Sequence, residues 1–220
     1  MHSFQNLSTL KDLYMLKSFG YSYIDSINID TTPLQLDQNS IEDVANAIKN
    51  CYLCDFSKSR KAPLTGSGSS SAKVMIVDHT VSLTQDSSGN YFAGKSGEML
   101  QAMVENVLHL DTKNDIFFTH AIKCKPSPHA KGFEVEWNSC KSYLFKQIDL
   151  LKPKIVIALG KEAYAKLSGD KEENFQNIRG SIIKLNSYTL VAIHHPSYLL
   201  KNPQEKRVAF GDLQRIEALL

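Results

Sequence analysis

The sequence predicts an α/β fold with a parallel sheet covered by helices on both faces. Three observations carry that expectation. Short unbroken apolar runs, Val74-Met75-Ile76-Val77 and Ile155-Val156-Ile157-Ala158-Leu159, suit strands buried on both sides. Segments of helical length alternate with such runs along the chain. The 220 residues are 42% hydrophobic and 22% charged, the balance of an ordinary globular protein. A chain of this length buries about 70% of its unfolded surface and needs no disulfides to fold.

The elements follow in order. Leu7, Leu10, Leu13, Tyr14, Leu16 and Lys17 have helical spacing, and Gly20 is a natural stop. A polar stretch with Thr31, Thr32 and Pro33 reads as a linker, so residues 1–39 form an appendage to a main domain over 40–220. A helix is expected from Ser40, an N-cap with Asp43 three residues on, to Cys51. Residues 65–71, rich in Gly and Ser, read as a loop. A strand follows at 73–77, a helix from 96 to about 110, and a short strand at 115–119. The helix over 134–151 ends before Pro153. Next come a strand at 154–159, a helix at 161–167, strands at 181–185 and 189–193 with a turn at Asn186-Ser187, and a last helix from about Pro203. Ligands of such sheets bind at the carboxyl ends of the strands. Chemistry is therefore expected in the loops after Val77, Thr119, Leu159 and Ile193.

Several classes are excluded. No apolar run approaches the ~20 residues of a membrane-spanning helix. The first residues, Met1-His2-Ser3-Phe4-Gln5, show no signal-peptide pattern, so a cytoplasmic protein is expected. The net charge of +2 rules out a histone-like polycation but leaves room for a local basic groove.

In a reducing compartment, four cysteines suit metal ligation or an inert core better than disulfides. Cys51 and Cys54 form a C-x-x-C, but a helix ends there rather than starting, which argues against a redox dithiol. Cys124 and Cys140 are dispersed. Zinc and a [4Fe–4S] cluster both accept four thiolates. One tight pair plus two scattered cysteines favours the cluster, with four unrelated core thiols as the plain alternative.

Several stretches together resemble a known family: Cys51-x-x-Cys54; Gly66-Ser67-Gly68 followed by 72–77; Asp86-x-x-Gly89-x-Tyr91-Phe92-Ala93-Gly94; Lys123-Cys124-Lys125-Pro126; 154–160; Arg179-Gly180; and His195-Pro196-Ser197-Tyr198-Leu199-Leu200-Lys201. Their order and spacing, over about residues 48–214, are similar to the iron–sulfur (family 4) branch of the uracil-DNA glycosylase superfamily. The resemblance implies a three-layer α/β/α sandwich around a four-stranded parallel sheet. It implies a [4Fe–4S] cluster on Cys51, Cys54, Cys124 and Cys140, DNA as the partner of a monomer, and hydrolysis of the N-glycosidic bond of a flipped damaged base. His195 then matches the donor to the base oxygen and Phe92 the stacking aromatic. Tyr198, Leu199 and Leu200 match the loop that probes the duplex, and Lys201 a phosphate contact.

This chain departs from the family at its pocket. Asp78-His79-Thr80-Val81-Ser82 stands where the family has Gly-Glu-Ala-Pro-Gly, so the acidic position is His79. The base-reading Asn is His120, and an Asn-Arg pair is His129-Ala130. His120 is expected to read the base edge, and Asp86 or His79 to position water. Three histidines also invite a zinc reading, although two are pocket replacements and the third is the family residue. Lys58, Arg60, Lys61, Lys123, Lys125 and Lys131 lie near the cysteines and suit either DNA contact or a solvated face. The alternative function is a non-catalytic DNA-binding protein on the same fold, favoured by the rewritten 78–82 loop.

Overall fold

The computed structural model describes Met15 and residues 39–220, apart from residues 131, 171–173 and 186. The helix expected over 7–17 (Met15 aside), its stop at Gly20, the linker at 31–33, Lys131 and Asn186 lie outside the described residues.

Four strands form the centre of the sheet: β2 (Val74–Thr80), β3 (Ile116–Ile122), β4 (Ile155–Leu159) and β6 (Thr189–Ile193). They pair in parallel in the order β3-β2-β4-β6. Their side chains are buried on both faces, which explains the unbroken apolar runs.

The whole sheet is larger than the four parallel strands and is mixed. β5 (Ile182–Lys184) closes one edge as the antiparallel arm of the expected hairpin with β6. β1 (Ser67–Gly68) closes the other edge, antiparallel to β3, inside the stretch expected to be a loop. Two residues of Ser and Gly carry no strand signature. Gly68 is there because φ is +123° and a Cβ would lie 2.0 Å from the carbonyl oxygen of Ile116.

Helices cover both faces. Helix α1 (Ile41–Lys49) starts with the expected capping box between Ser40 and Asp43. Helix α2 (Phe56–Ser59) and helix α3 (Leu83–Ser88) are short, the latter capped by Ser82 and Gln85. Helix α4 (Gly94–Asn106) begins two residues before the expected start. Helix α5 (Glu134–Leu151) ends at Lys152, in the left-handed region, one residue before Pro153. Helix α6 (Gly160–Ser168) leaves β4 directly. Helices α7 (Phe175–Ile178) and α8 (Pro196–Lys201) flank β5 and β6, and α9 (Lys206–Glu217) follows a 3-10 turn at Pro203–Glu205.

The sheet divides two cores. On one face Met75, Val77, Phe117 and Val156 pack against Leu144 and Ile148 of α5 and Tyr164 of α6. On the other, Ile76, Phe118, Ile157 and Ile193 pack against Leu100 and Val104 of α4 and Leu213 and Ile216 of α9. This is a three-layer α/β/α sandwich. Among the described residues no helix is long and apolar enough to cross a membrane.

Candidate active site

A cavity of about 600 Å³ opens at the carboxyl ends of the parallel strands, where the topology places ligands. Asp78, Gln85, Tyr91, Phe118 and His195 contribute to its wall. Strand alternation decides what β2 offers it. Val74, Ile76 and Asp78 point to the α4 side, while Met75, Val77 and His79 point to the α5 side.

His195 is the N-cap of α8, with Pro196 at the first helical position. Its Nδ1 accepts the backbone N–H of Ser197 at 3.1 Å and lies 2.7 Å from the Ser197 hydroxyl. The neutral ring therefore carries its proton on Nε2, which donates to Asp78 Oδ2 at 3.2 Å. Asp78 Oδ1 accepts the backbone N–H of His79 at 2.7 Å. Burial alone would raise the Asp78 carboxyl, but His195, His120 and that N–H outweigh it and hold the group below its ordinary value. Burial pulls His195 down, and Asp78 outweighs this to hold the imidazole above its ordinary value. The N–H donated by Ser197 opposes that rise, because the imidazolium has no lone pair on Nδ1.

His120 faces Asp78 in the β2–β3 register and is fully buried. Its Nε2 lies 3.2 Å from Gln85 Oε1, and its Nδ1 has no partner. The ring stacks on Phe118, with centroids 5.3 Å apart. Burial drives its pKa down to about 4, so it is neutral at physiological pH. His120 is not in the cavity wall; Gln85, its partner, is. Gln85 also accepts from Ser82 N–H and donates to the Tyr91 carbonyl, which fixes its amide.

The other expected residues are placed less centrally. His79 borders the cavity, but its imidazole packs edge-on to Phe133, 5.0 Å away, on the α5 side. Its Nε2 is buried without a partner, and burial lowers its pKa. Asp86 is outside the wall: its Oδ1 accepts from Lys61 N–H at 2.9 Å, and its Oδ2 is 3.9 Å from Lys125 Nζ. Phe92 is outside too, its ring on Phe118 at 5.4 Å; Tyr91 supplies the aromatic wall beside it. Leu199 is core, whereas Tyr198, Leu200 and Lys201 are exposed on α8. The three histidines do not gather around a common point. Among the described residues no three His, Cys, Asp or Glu side chains could chelate one metal ion.

Sequence reasoning passed over Gln85, Tyr91 and Phe118, and gave Asp78 no role. Ser82-x-x-Gln85 is a capping-box pattern, the one local signal that fixes Gln85.

The cysteines come from three segments: Cys51 and Cys54 between α1 and α2, Cys124 after β3, and Cys140 in α5. All four are free thiols, and they bear on one another electrostatically: Cys51 and Cys54 on Cys140, Cys54 and Cys140 on Cys124. Burial pushes the Cys124 thiol up to about 11. Arg60 Nη1 donates to Cys124 Sγ at 2.9 Å, and its Nη2 to the Cys51 carbonyl at 2.6 Å. Four thiols with an N–H donor on one sulfur suit a cubane cluster.

The basic residues near the cysteines are mostly engaged. Lys123 is buried with Nζ 2.7 Å from both Thr119 Oγ1 and Gln147 Oε1, and burial lowers its pKa to about 7. Arg60 faces sulfur, Lys58 pairs with Asp55, and Lys61 donates to the Ser87 carbonyl.

A sequence profile of the uracil DNA glycosylase superfamily matches residues 65–214. The type-4 uracil-DNA glycosylase of Saccharolobus solfataricus is 28% identical over 83% of this chain and 87% of its own. The type-4 enzyme of Pyrobaculum aerophilum is 31% identical over 71% of this chain and 82% of its own, and that of Thermotoga maritima 24% identical over 82% and 94%. The match runs from β1 into α9 and takes in every wall of the cavity, and the chain belongs to the uracil-DNA glycosylase superfamily, in its type-4 branch.

Proposed function

We propose that the protein is a DNA-repair glycosylase that hydrolyses the N-glycosidic bond of a flipped uracil or a related lesion. The observation that carries this is His195, the N-cap of α8, whose Nε2–H donates to Asp78 in the wall of a cavity at the strand ends. As the glycosidic bond breaks, negative charge gathers on the departing base, and a preorganised donor aimed at its oxygen stabilises it. Tyr91 and Phe118 line the cavity where the base would sit. Gln85, held by Ser82 and His120, presents an amide to its edge, so His120 acts on the base through Gln85. Tyr198, Leu200 and Lys201 on α8 would meet the DNA strand.

Cys51, Cys54, Cys124 and Cys140 would hold a [4Fe–4S] cluster, with Arg60 donating to the Cys124 sulfur. When bound, the cluster ties three separate segments of chain together.

The test is to incubate cluster-loaded protein with single- and double-stranded oligonucleotides carrying single damaged bases and to score abasic sites. Abasic sites that disappear with His195→Ala support the reading. DNA binding without any excision would move the protein to the non-catalytic alternative.

A further inference from the structure

The family's first-motif acid is absent at its usual position, and the structure shows which group stands in the pocket instead. Two carboxylates border the cavity. Glu162 is exposed at the start of α6. Asp78 is buried to 8% exposure and held at both oxygens, by His79 N–H at 2.7 Å and His195 Nε2 at 3.2 Å. His79 turns its ring to the other side of the sheet, and Asp86 is spent on Lys61 and Lys125.

We propose that Asp78 is a second catalytic residue: with the base bound, His195 Nε2–H turns to the base oxygen and the freed Asp78 carboxylate takes the proton of the attacking water. Geometry puts it within reach. The pyrimidine oxygen that His195 would grip is two bonds from the glycosidic nitrogen. A carboxylate oxygen 3.2 Å from the gripping atom is therefore about one water from the sugar carbon. The step balances. The C1′–N bond breaks with its electron pair leaving on the base, the water oxygen bonds to C1′, and one water proton passes to Asp78 and then to the base anion or solvent. Before transfer, the same negative charge faces the positive charge that develops on the sugar.

Asp78 occupies a position where the family pattern has glycine, one residue before the family acid. A one-residue shift along a strand sends a side chain to the opposite face. The acid thus enters from the α4 side of β2 rather than the α5 side.

This assignment rests on the glycosylase reading, and single-turnover uracil release separates the two. Asp78→Asn preserves shape and removes the charge. It is expected to lower the rate at least about 100-fold while DNA affinity and unfolding temperature stay at wild-type values. Asp78→Ser serves if the amide disturbs packing. In a His195→Gln background, Asp78→Asn is expected to cost a further large factor. No further loss there would show that Asp78 only orients His195, and would overturn the assignment. An active wild type with an equally active Asp78→Asn overturns it as well and leaves the glycosylase reading standing. A wild type inactive on every lesion overturns both.

Discussion

His120 sits where its family has an amide, and its burial has a measurable cost. Its folded pKa is pushed down to about 4 from 6.5. Between those values the unfolded chain binds a proton that the folded chain refuses, so stability falls as pH drops through that window. At pH 5 the loss from this residue is about 2 kcal/mol. His79 and His194 are lowered by burial as well and act in the same direction. Urea unfolding at pH 7.5 and pH 5 should therefore show a large acid loss, reduced in His120→Asn. An Asn at 120 can still donate to Gln85, so the variant should keep its fold; an unchanged acid loss would show that His120 is not held neutral. His195 has the opposite sign. Its raised pKa stabilises the fold at low pH, and that contribution fades as pH rises through the folded value.

At the scale of elements, the apolar parts of the four central strands were legible because burial on both faces leaves an apolar run, but β2 and β3 continue past the expected ends at Val77 and Thr119, so Asp78, His79 and His120 sit in strands rather than in the expected loops. β1 was not legible, since its two residues are chosen for the close approach of Gly68 to Ile116 rather than for strand propensity. Helices α2, α3, α7 and α8 have four to six residues, too few for a 3.6-residue period to show. His195 and the cysteines could be picked out by motif. Asp78 and Tyr91 stood in those motifs without a role, because each adjoins the residue to which the pattern gives one and differs from it in which way the chain turns it. The segment carrying Tyr91, which lines the cavity, and Phe92, which does not, packs tightly on Gly97 of α4. A Cβ on Gly97 would lie 2.2 Å from the Phe92 carbonyl carbon, so Gly97→Ala must push helix and segment apart. We expect a cost of about 1–3 kcal/mol, read by denaturant titration, together with slower base excision as Tyr91 shifts. Wild-type stability in Gly97→Ala would mean that the contact is slack.

Across the whole molecule, the four cysteines lie in three segments, between α1 and α2, just after β3 and in α5, which a cluster held by them would join. Anaerobically prepared protein should be brown, with broad visible absorption bleached by dithionite. Cys124→Ala should lose both colour and soluble yield. A colourless, zinc-loaded, folded protein would contradict the cluster. DNA contact should be carried by α8 rather than by the engaged basic residues around the cysteines. Lys201→Ala should weaken binding to all sequences alike and reduce the salt slope by about one, as measured by anisotropy across a salt series. A slope unchanged by Lys201→Ala but reduced by Lys58→Ala would place the DNA on the cysteine side instead.

The cavity holding Asp78 and His195 is where we propose the glycosidic bond is broken. The most direct test is single-turnover incubation with a single-stranded oligonucleotide carrying one uracil, quantifying free uracil and abasic sites together. Equal amounts of the two, growing at one rate and abolished by His195→Ala, are expected. Free uracil undiminished in His195→Ala, or none released by fully cluster-loaded protein on any lesion, would contradict that proposal.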